Sequence, residues 1–591
     1  MSKVIYAYNR NYRFDKETEK RLAQICNELL PDNISTMPNH TICVNDRTAY
    51  AVMNSNSSLC KSESSLLLGC LYENGDIDWH IPQGRFPDGS YAIFRNSDDY
   101  IELVSDAAGS RTIWYYLDDN LFIASTSQRA IILFLGDFVF DERVIPWMLS
   151  TGSLGPEFSW DKRLKRLLAN SSVLLDKKNW TLFQNNQNDT IFSVKSCSRE
   201  QHKTRLRDAI SRTIGALISI DHSKWTLALS GGYDSRAILC FIKEQIGISR
   251  DFKTVTWGLE KSINQEGNDA KIAQDIANKL SVQHEYHHTD ISPEPIETIV
   301  NRFILCGEGR IARISGYMDG MEIWRKFYDE GVVGIIRGDQ GFGYARVSSE
   351  LTVRASIRCT LCSDFENLKN IIEDFGLPAQ ELPTDLKRRE EESFSSWRDR
   401  LYHQYTLPTE FAALSDIKLS YVEVINPLLS KSILSVVRNL PDRLRTNKSI
   451  YKEIFDSIGP DIPYADKVAI ADRQNILRSK EFVELLKNEI NSSYANQLFG
   501  SNFVRYILSG ISEKTPKSLK TKKIKKSLGT NKVKRIKESI KLLVPQFVKS
   551  WLRDTVLGPK VGSSVLKLDG NVLAFRVFII IKMHKMLKGS D

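Results

Sequence analysis

Leu229-Ser230-Gly231-Gly232-Tyr233-Asp234-Ser235 follows the apolar run Trp225–Leu229 and opens a helix-like stretch, Ser235–Lys243. Two adjacent glycines let the backbone turn tightly and carry no side chains. Amide N–H groups can then face phosphate oxygens, and the following helix adds the positive end of its dipole. Ser230 and Ser235 supply hydroxyl donors. Asp234 would repel phosphate if it acted alone, and its presence makes sense if it holds Mg²⁺ bridging to the phosphates. The string is not the Walker type, which needs G-x-x-x-x-G-K-[ST]. Leu229, Ser230, Gly231, Gly232, Asp234 and Ser235 are thus candidate phosphate-site residues.

Outward from this turn, the spacing predicts a parallel α/β sheet. A strand at Phe252–Trp257, a helix at Asn268–Leu280, a strand-like run at His284–His287 and another at Gly331–Ile336 alternate as parallel sheets require. Upstream the rhythm differs. Ser64–Leu71, Tyr91–Phe94, Tyr100–Val104, Ile113–Leu117 and Leu121–Ala124 are short apolar runs separated by turn residues, which reads as a mostly antiparallel, β-rich region. Three segments are expected: 1–195 rich in strands, 196–510 carrying the turn, and a basic C-terminal extension over 511–591, with Leu573–Met583 as a packed helix.

Composition excludes several classes. The 591 residues are 42% hydrophobic and 26% charged, as in globular proteins. Nine cysteines are too sparse for a disulfide scaffold. No run reaches the ~18 apolar residues of a membrane span, and no secretory signal pattern appears, so a cytoplasmic location is expected. The net charge of +9 is misleading: Lys514–Lys541 holds twelve Lys and Arg against Glu538, which is +11 and leaves −2 elsewhere. Nucleic acid is therefore not an expected partner, while the basic stretch could contact an anionic one. A homodimer is compatible with this reading.

The S-G-G-x-D-S string is similar to the pyrophosphate loop of ATP-pyrophosphatases, and the wider chain resembles the asparagine synthetases. Thr256-Trp257-Gly258-Leu259 looks like the strand end that meets adenine in that family. The run Asp269–Glu285 is similar to its D-x-x-x-A-x-x-x-A-x-x-L-G-x-x-H helix, and Glu423–Ser430 resembles E-x-R-x-P-F-L-D without the arginine and the last aspartate. Lys467, in Tyr464-Ala465-Asp466-Lys467, falls where the family has a lysine facing the reacting phosphate. Asp88–Ala92 and Ser105–Ser125 echo its glutaminase domain. Lasso-peptide cyclases, β-lactam synthetases and amidotransferases of surface-polysaccharide uronic acids share the scaffold.

The resemblance implies an N-terminal glutaminase-like (Ntn-type α+β sandwich) domain before a parallel-sheet ATP-pyrophosphatase domain. It implies ATP and Mg²⁺ as cofactors, a small-molecule or peptide carboxylate as substrate, and ammonia or an amine as partner in amide formation. Asparagine biosynthesis is one such role; a cyclase, a polysaccharide amidotransferase and a degenerate ATP-binding protein are alternatives. Trp257 and Gly338 join the expected ATP-binding residues.

Two departures matter. No cysteine stands at the N-terminus; Ser2 does, and a hydroxyl is a far weaker nucleophile than a thiolate. A scaffold without glutaminase activity is expected, with Asn74-Gly75-Asp76 as a hairpin turn. Second, Arg337-Gly338-Asp339-Gln340-Gly341-Phe342-Gly343-Tyr344 shortens S-G-[ED]-G-x-D-E-x-F-G-G-Y. One register makes Asp339 the metal carboxylate and Gln340 the replaced glutamate; the other makes Asp339 the acid–base group. Glu308 is a further candidate base. Cys359/Cys362 and His287/His288 are read as structural.

Overall fold

The structure is a computed structural model that describes residues 3–35, 39–53, 59–75, 77–186, 190–247, 252–344, 346–470, 476–514 and 566–589. Ser2, Asp76 and nearly all of the basic stretch lie outside the described residues.

Residues 3–186 build two six-stranded antiparallel sheets. The first runs, by strand, 165–166, 114–117, 121–125, 3–9, 48–53, 41–45. The second runs 181–186, 171–176, 100–105, 89–96, 65–71, 59–62. The alternation of strand Lys3–Asn9 explains their stacking. Val4, Tyr6 and Tyr8 point into a core shared with Leu66, Leu68, Phe94 and Leu103 of the second sheet. Ile5 and Ala7 point the other way, against helices Lys16–Glu28 and Gln128–Leu135. The five upstream apolar runs are all strands, as expected.

Residues 225–425 hold a five-stranded, all-parallel sheet in the order 283–288, 253–258, 225–228, 334–336, 423–425. Trp225–Ala228 lies at its centre. The helix after it, Asp234–Gln245, buries every residue from Ser235 to Ile242, so helix and strand pack tightly. The next helix, Asp269–Leu280, is capped by Asn268 and buries Ala270, Ala273, Ile276 and Ala277 at helical spacing.

Buried charges join the two regions. Arg111 donates to Glu423, both almost wholly enclosed. Asp88 caps helix Lys431–Arg438 by accepting the Lys431 and Ser432 amides at 2.7 and 2.8 Å. Arg310 pairs with Asp416 and reaches Thr112 Oγ1 at 2.6 Å. The C-terminal helix Gly570–Lys588 is buried from Asn571 to Ile581 and packs on helices Val144–Thr151 and Lys480–Ile490. Arg576 on it donates to the Leu149 carbonyl at 2.8 Å.

Removing one member of a buried pair strands the other charge, at a cost of about 3–5 kcal/mol. Arg111→Met should therefore lower the thermal midpoint by several degrees, and Arg111→Met with Glu423→Gln should recover much of the loss. A single variant as stable as the wild type in calorimetry would show that the pair does not join the regions.

Candidate functional site

The turn sits at the carboxyl end of the central strand. Leu229 remains tied to the sheet, its amide donating to Val255 O at 2.9 Å. The turn is then braced by its own side chains. Ser235 Oγ accepts the Ser230 amide at 2.9 Å and lies 2.9 Å from Ser230 Oγ. Gly231 N–H donates to Asp269 Oδ1 at 2.9 Å, and Gly232 N–H reaches Ser230 Oγ at 3.3 Å. These amides were expected to face phosphate, and the structure gives them protein partners instead. The amides left for a ligand are those just after Tyr233, because helix Asp234–Gln245 has no side-chain cap.

Gly231 and Gly338 are required by space. A Cβ on Gly231 would lie 2.7 Å from Ala465 Cβ, and one on Gly338 would lie 2.8 Å from the Ser235 amide nitrogen. Gly338 thus presses against the helix start and brings Asp339 to the same side as Asp234. Both carboxylates raise the Tyr344 and Tyr402 hydroxyls above their ordinary range, secondary to burial. Arg337 Nε donates to Asp339 Oδ2 at 3.2 Å. Gln340 is folded inward, its Nε2 on Tyr344 Oη at 3.2 Å. Tyr344 in turn donates to Tyr402 Oη at 2.7 Å.

Asp234 has one partner. Lys448 Nζ meets its Oδ2 at 2.5 Å, while its buried Oδ1 has no hydrogen-bond partner. Sequence reasoning missed Lys448. The contact spans 214 residues, and no local motif announces it. Lys448 and Asn447 both adopt left-handed backbone, φ 56° and 55°, unusual for residues with side chains. Their amides donate to Gly343 and Tyr344 carbonyls at 3.1 and 2.8 Å, which ties this turn to the Asp339 segment.

Lys467 lies on a strip, residues 462–469, laid across the turn. Arg236, fully enclosed, fastens it by donating to the carbonyls of Ile462, Gly231 and Pro463 at 2.7, 3.1 and 3.1 Å. The Lys467 main chain bridges to Asn268, and its Nζ donates to Glu266 O at 2.6 Å on the exposed side. The strip is therefore in place, with the ammonium turned outward. Trp257 ends the neighbouring strand, half-buried, its ring 5.2 Å from Trp324.

Glu308 belongs elsewhere. Its carboxylate accepts the Ser127 hydroxyl and the Gln128 amide (2.9 Å) and pairs with Lys3 at 3.6 Å. It caps helix Gln128–Leu135 and does not share the turn, which corrects its expected role as a base. The signal was misleading because Gly307-Glu308-Gly309 looks like a loop, whereas Glu308 sits at a helix end with φ 52°. Cys359 and Cys362 are both buried, and burial pushes the Cys362 thiol up to about 11. Among the described residues no group of three or more His, Cys, Asp or Glu is placed to hold a metal.

Burial pushes the Asp269 carboxyl up to about 6, against the opposing Gly231 hydrogen bond. Its unfolded value is about 3.9. A pKa raised by folding gives stability that is full below pH ~4 and is lost as pH rises through the folded value. Asp269→Asn keeps an acceptor for Gly231 and removes that loss. The wild-type thermal midpoint should fall relative to Asp269→Asn between pH ~4 and ~6; parallel curves would contradict this account.

Residues 205–317 match the asparagine synthase family model. No curated protein matches the chain. Among solved structures, the U34-tRNA thiolase NcsA from Methanococcus maripaludis, with its [4Fe-4S] cluster, aligns at 13% identity and TM-score 0.21, over 54% of this chain and 88% of that one. Glutamine phosphoribosylpyrophosphate amidotransferase from B. subtilis aligns at 8% identity and TM-score 0.20, over 48% and 80%. Scores this low establish neither shared fold nor shared activity. The matched segment contains the central strand, the braced turn and the Asp269 helix, and over those residues this chain is similar to the asparagine synthase family.

Proposed function

We propose that this chain is an ATP-dependent ligase that activates a carboxylate as its acyl-adenylate and joins it to ammonia or an amine. The observation that carries the reading is Asp234 Oδ1, buried without a partner at the foot of an uncapped helix. A desolvated carboxylate oxygen with no donor is unfavourable unless a cation takes it. Asp234 and Asp339 are the carboxylates that would hold Mg²⁺. The ion, when bound, neutralises charge on the phosphates.

The chain's own residues do the rest in this reading. The amides after Tyr233 bind phosphate oxygens, together with the Ser230 and Ser235 hydroxyls. Trp257 borders the adenine side. Lys448, at Asp234, and Lys467, once its side chain swings inward, supply positive charge as the α-phosphorus gains electron density. A carboxylate oxygen of the substrate attacks that phosphorus, and the bond to pyrophosphate breaks. The amine nitrogen then attacks the acyl carbon, and the bond to AMP breaks. Holding both reactants together lowers the barrier further.

Residues 1–195 act in this reading as a glutaminase-like scaffold without glutaminase activity, ahead of an ATP domain over 196–510 and a basic extension over 511–591. Cys26 is a poor substitute for a terminal thiol, because burial pushes its pKa up to about 12. The nitrogen therefore comes from free ammonia or from an amine on the substrate. No helix among the described residues is long and apolar enough to cross a membrane, and a cytoplasmic location is part of the proposal.

ATP–pyrophosphate exchange run with a panel of carboxylic acids tests this. Exchange should appear with one class of acid and vanish in Asp234→Asn, with folding intact. Lys467→Ala should lower it by 10²–10³, the cost of removing one such contact. ATP binding with no AMP under any condition would leave a binding protein in place of an enzyme.

A further inference from the structure

A cavity of about 800 Å³ opens beside the Asp234 turn. Its wall includes Arg346, Arg443, Lys452, Thr446, Asn447 and Asp442. Three cations thus face one carboxylate, and that carboxylate is already engaged. Asp442 accepts Arg445 Nη2 at 2.5 Å and the hydroxyls of Ser396 and Ser393 at 2.9 and 2.5 Å. Arg346 and Arg443 make no ion pair among the described residues.

Lys452 connects the cavity to the site. Its Nζ donates to Asn447 Oδ1 at 3.2 Å and lies 5.0 Å from the Tyr233 ring centroid. Tyr233 belongs to the glycine turn, and Asn447 precedes the lysine bound to Asp234. Burial, then repulsion from Lys448, pushes the Lys452 pKa down. Attraction from Asp234 and Asp456 opposes this only in part, and an anion entering the cavity would add to it.

We propose that this cavity is the binding site of a multiply anionic small molecule. Combined with the function proposed above, on which this part rests, that molecule is the acid substrate: one carboxylate is activated at the turn, and further anionic groups rest on Arg346, Arg443 and Lys452. The volume falls in the 300–1,000 Å³ range of small-molecule sites and is far larger than pyrophosphate requires. Guanidinium groups match carboxylate and phosphate oxygens in paired geometry, which favours polyanions over single charges.

Calorimetric titration of the full chain with citrate, acetate and inorganic pyrophosphate decides the matter, alongside a fluorescent ATP analogue as a separate readout. Citrate should bind well above acetate. Arg346→Ala and Arg443→Ala should each weaken it roughly tenfold, about 1.4 kcal/mol, Arg443→Lys should restore part, and nucleotide affinity should not change. Citrate binding no better than acetate, or unaffected in the double alanine variant, overturns the proposal. Pyrophosphate binding that depends on both arginines, without citrate binding, also overturns it and makes the cavity a station for the leaving group. Loss of citrate binding in the variants of a protein that never forms AMP upholds the site and refutes the ligase reading alone.

Discussion

The close approach of Gly338 to the first turn of helix Asp234–Gln245 is the constraint on which the site depends. Two backbone segments from different crossovers meet there with no room for a Cβ. That contact presses the segment bearing Asp339 onto the helix start at Asp234, and the Asn447–Lys448 turn, hung on the Gly343 and Tyr344 carbonyls, adds a lysine. A side chain at 338 would push the two backbone segments apart before any question of chemistry arose. Gly231 plays the same part on the other side, where the strip bearing Lys467 lies against the turn.

What the sequence made legible is what short-range physics determines. Strand, turn and helix around Ser230–Ser235 follow one another within about twenty residues, so their pattern is local and readable. The antiparallel strands upstream were equally plain, since short apolar runs between turn residues mark them. Asp339 was readable only as a candidate carboxylate with two possible roles, while its neighbour Gln340 turns into the core toward Tyr344. Lys448 was invisible because only the tertiary fold brings it to Asp234, and Glu308 was misread because its partners lie some 180 residues upstream. The wide helical turn Tyr402–Phe411 was also unreadable. It holds Pro408, which sequence reasoning takes as a helix stop. The structure keeps winding there in a π-helix, which delivers Tyr402 and His403 to the Gln340–Gly341 carbonyls at 3.0 and 2.7 Å.

The two sheet regions are joined by desolvated charge rather than by a greasy face alone. Arg111–Glu423, Arg310–Thr112, Lys3–Glu308 and the Asp88 cap all cross the boundary and are largely enclosed. Such pairs tolerate little sliding, because each displaced charge would be left without a partner. The antiparallel region therefore fixes the position of helix Lys431–Arg438 and strand Glu423–Ile425, both of which line the parallel-sheet half.

The buried C-terminal helix has a consequence for how the molecule is made. Its Arg576 grips the carbonyl of Leu149, 427 residues earlier in the chain. A ribosome adding about 5–20 residues per second needs roughly 20–90 seconds to cover that gap. Throughout that interval helix Val144–Thr151 has emerged without the C-terminal helix that packs on it. The nascent chain must then be shielded by chaperones, or it will associate with its neighbours on the polysome before translation supplies the missing piece.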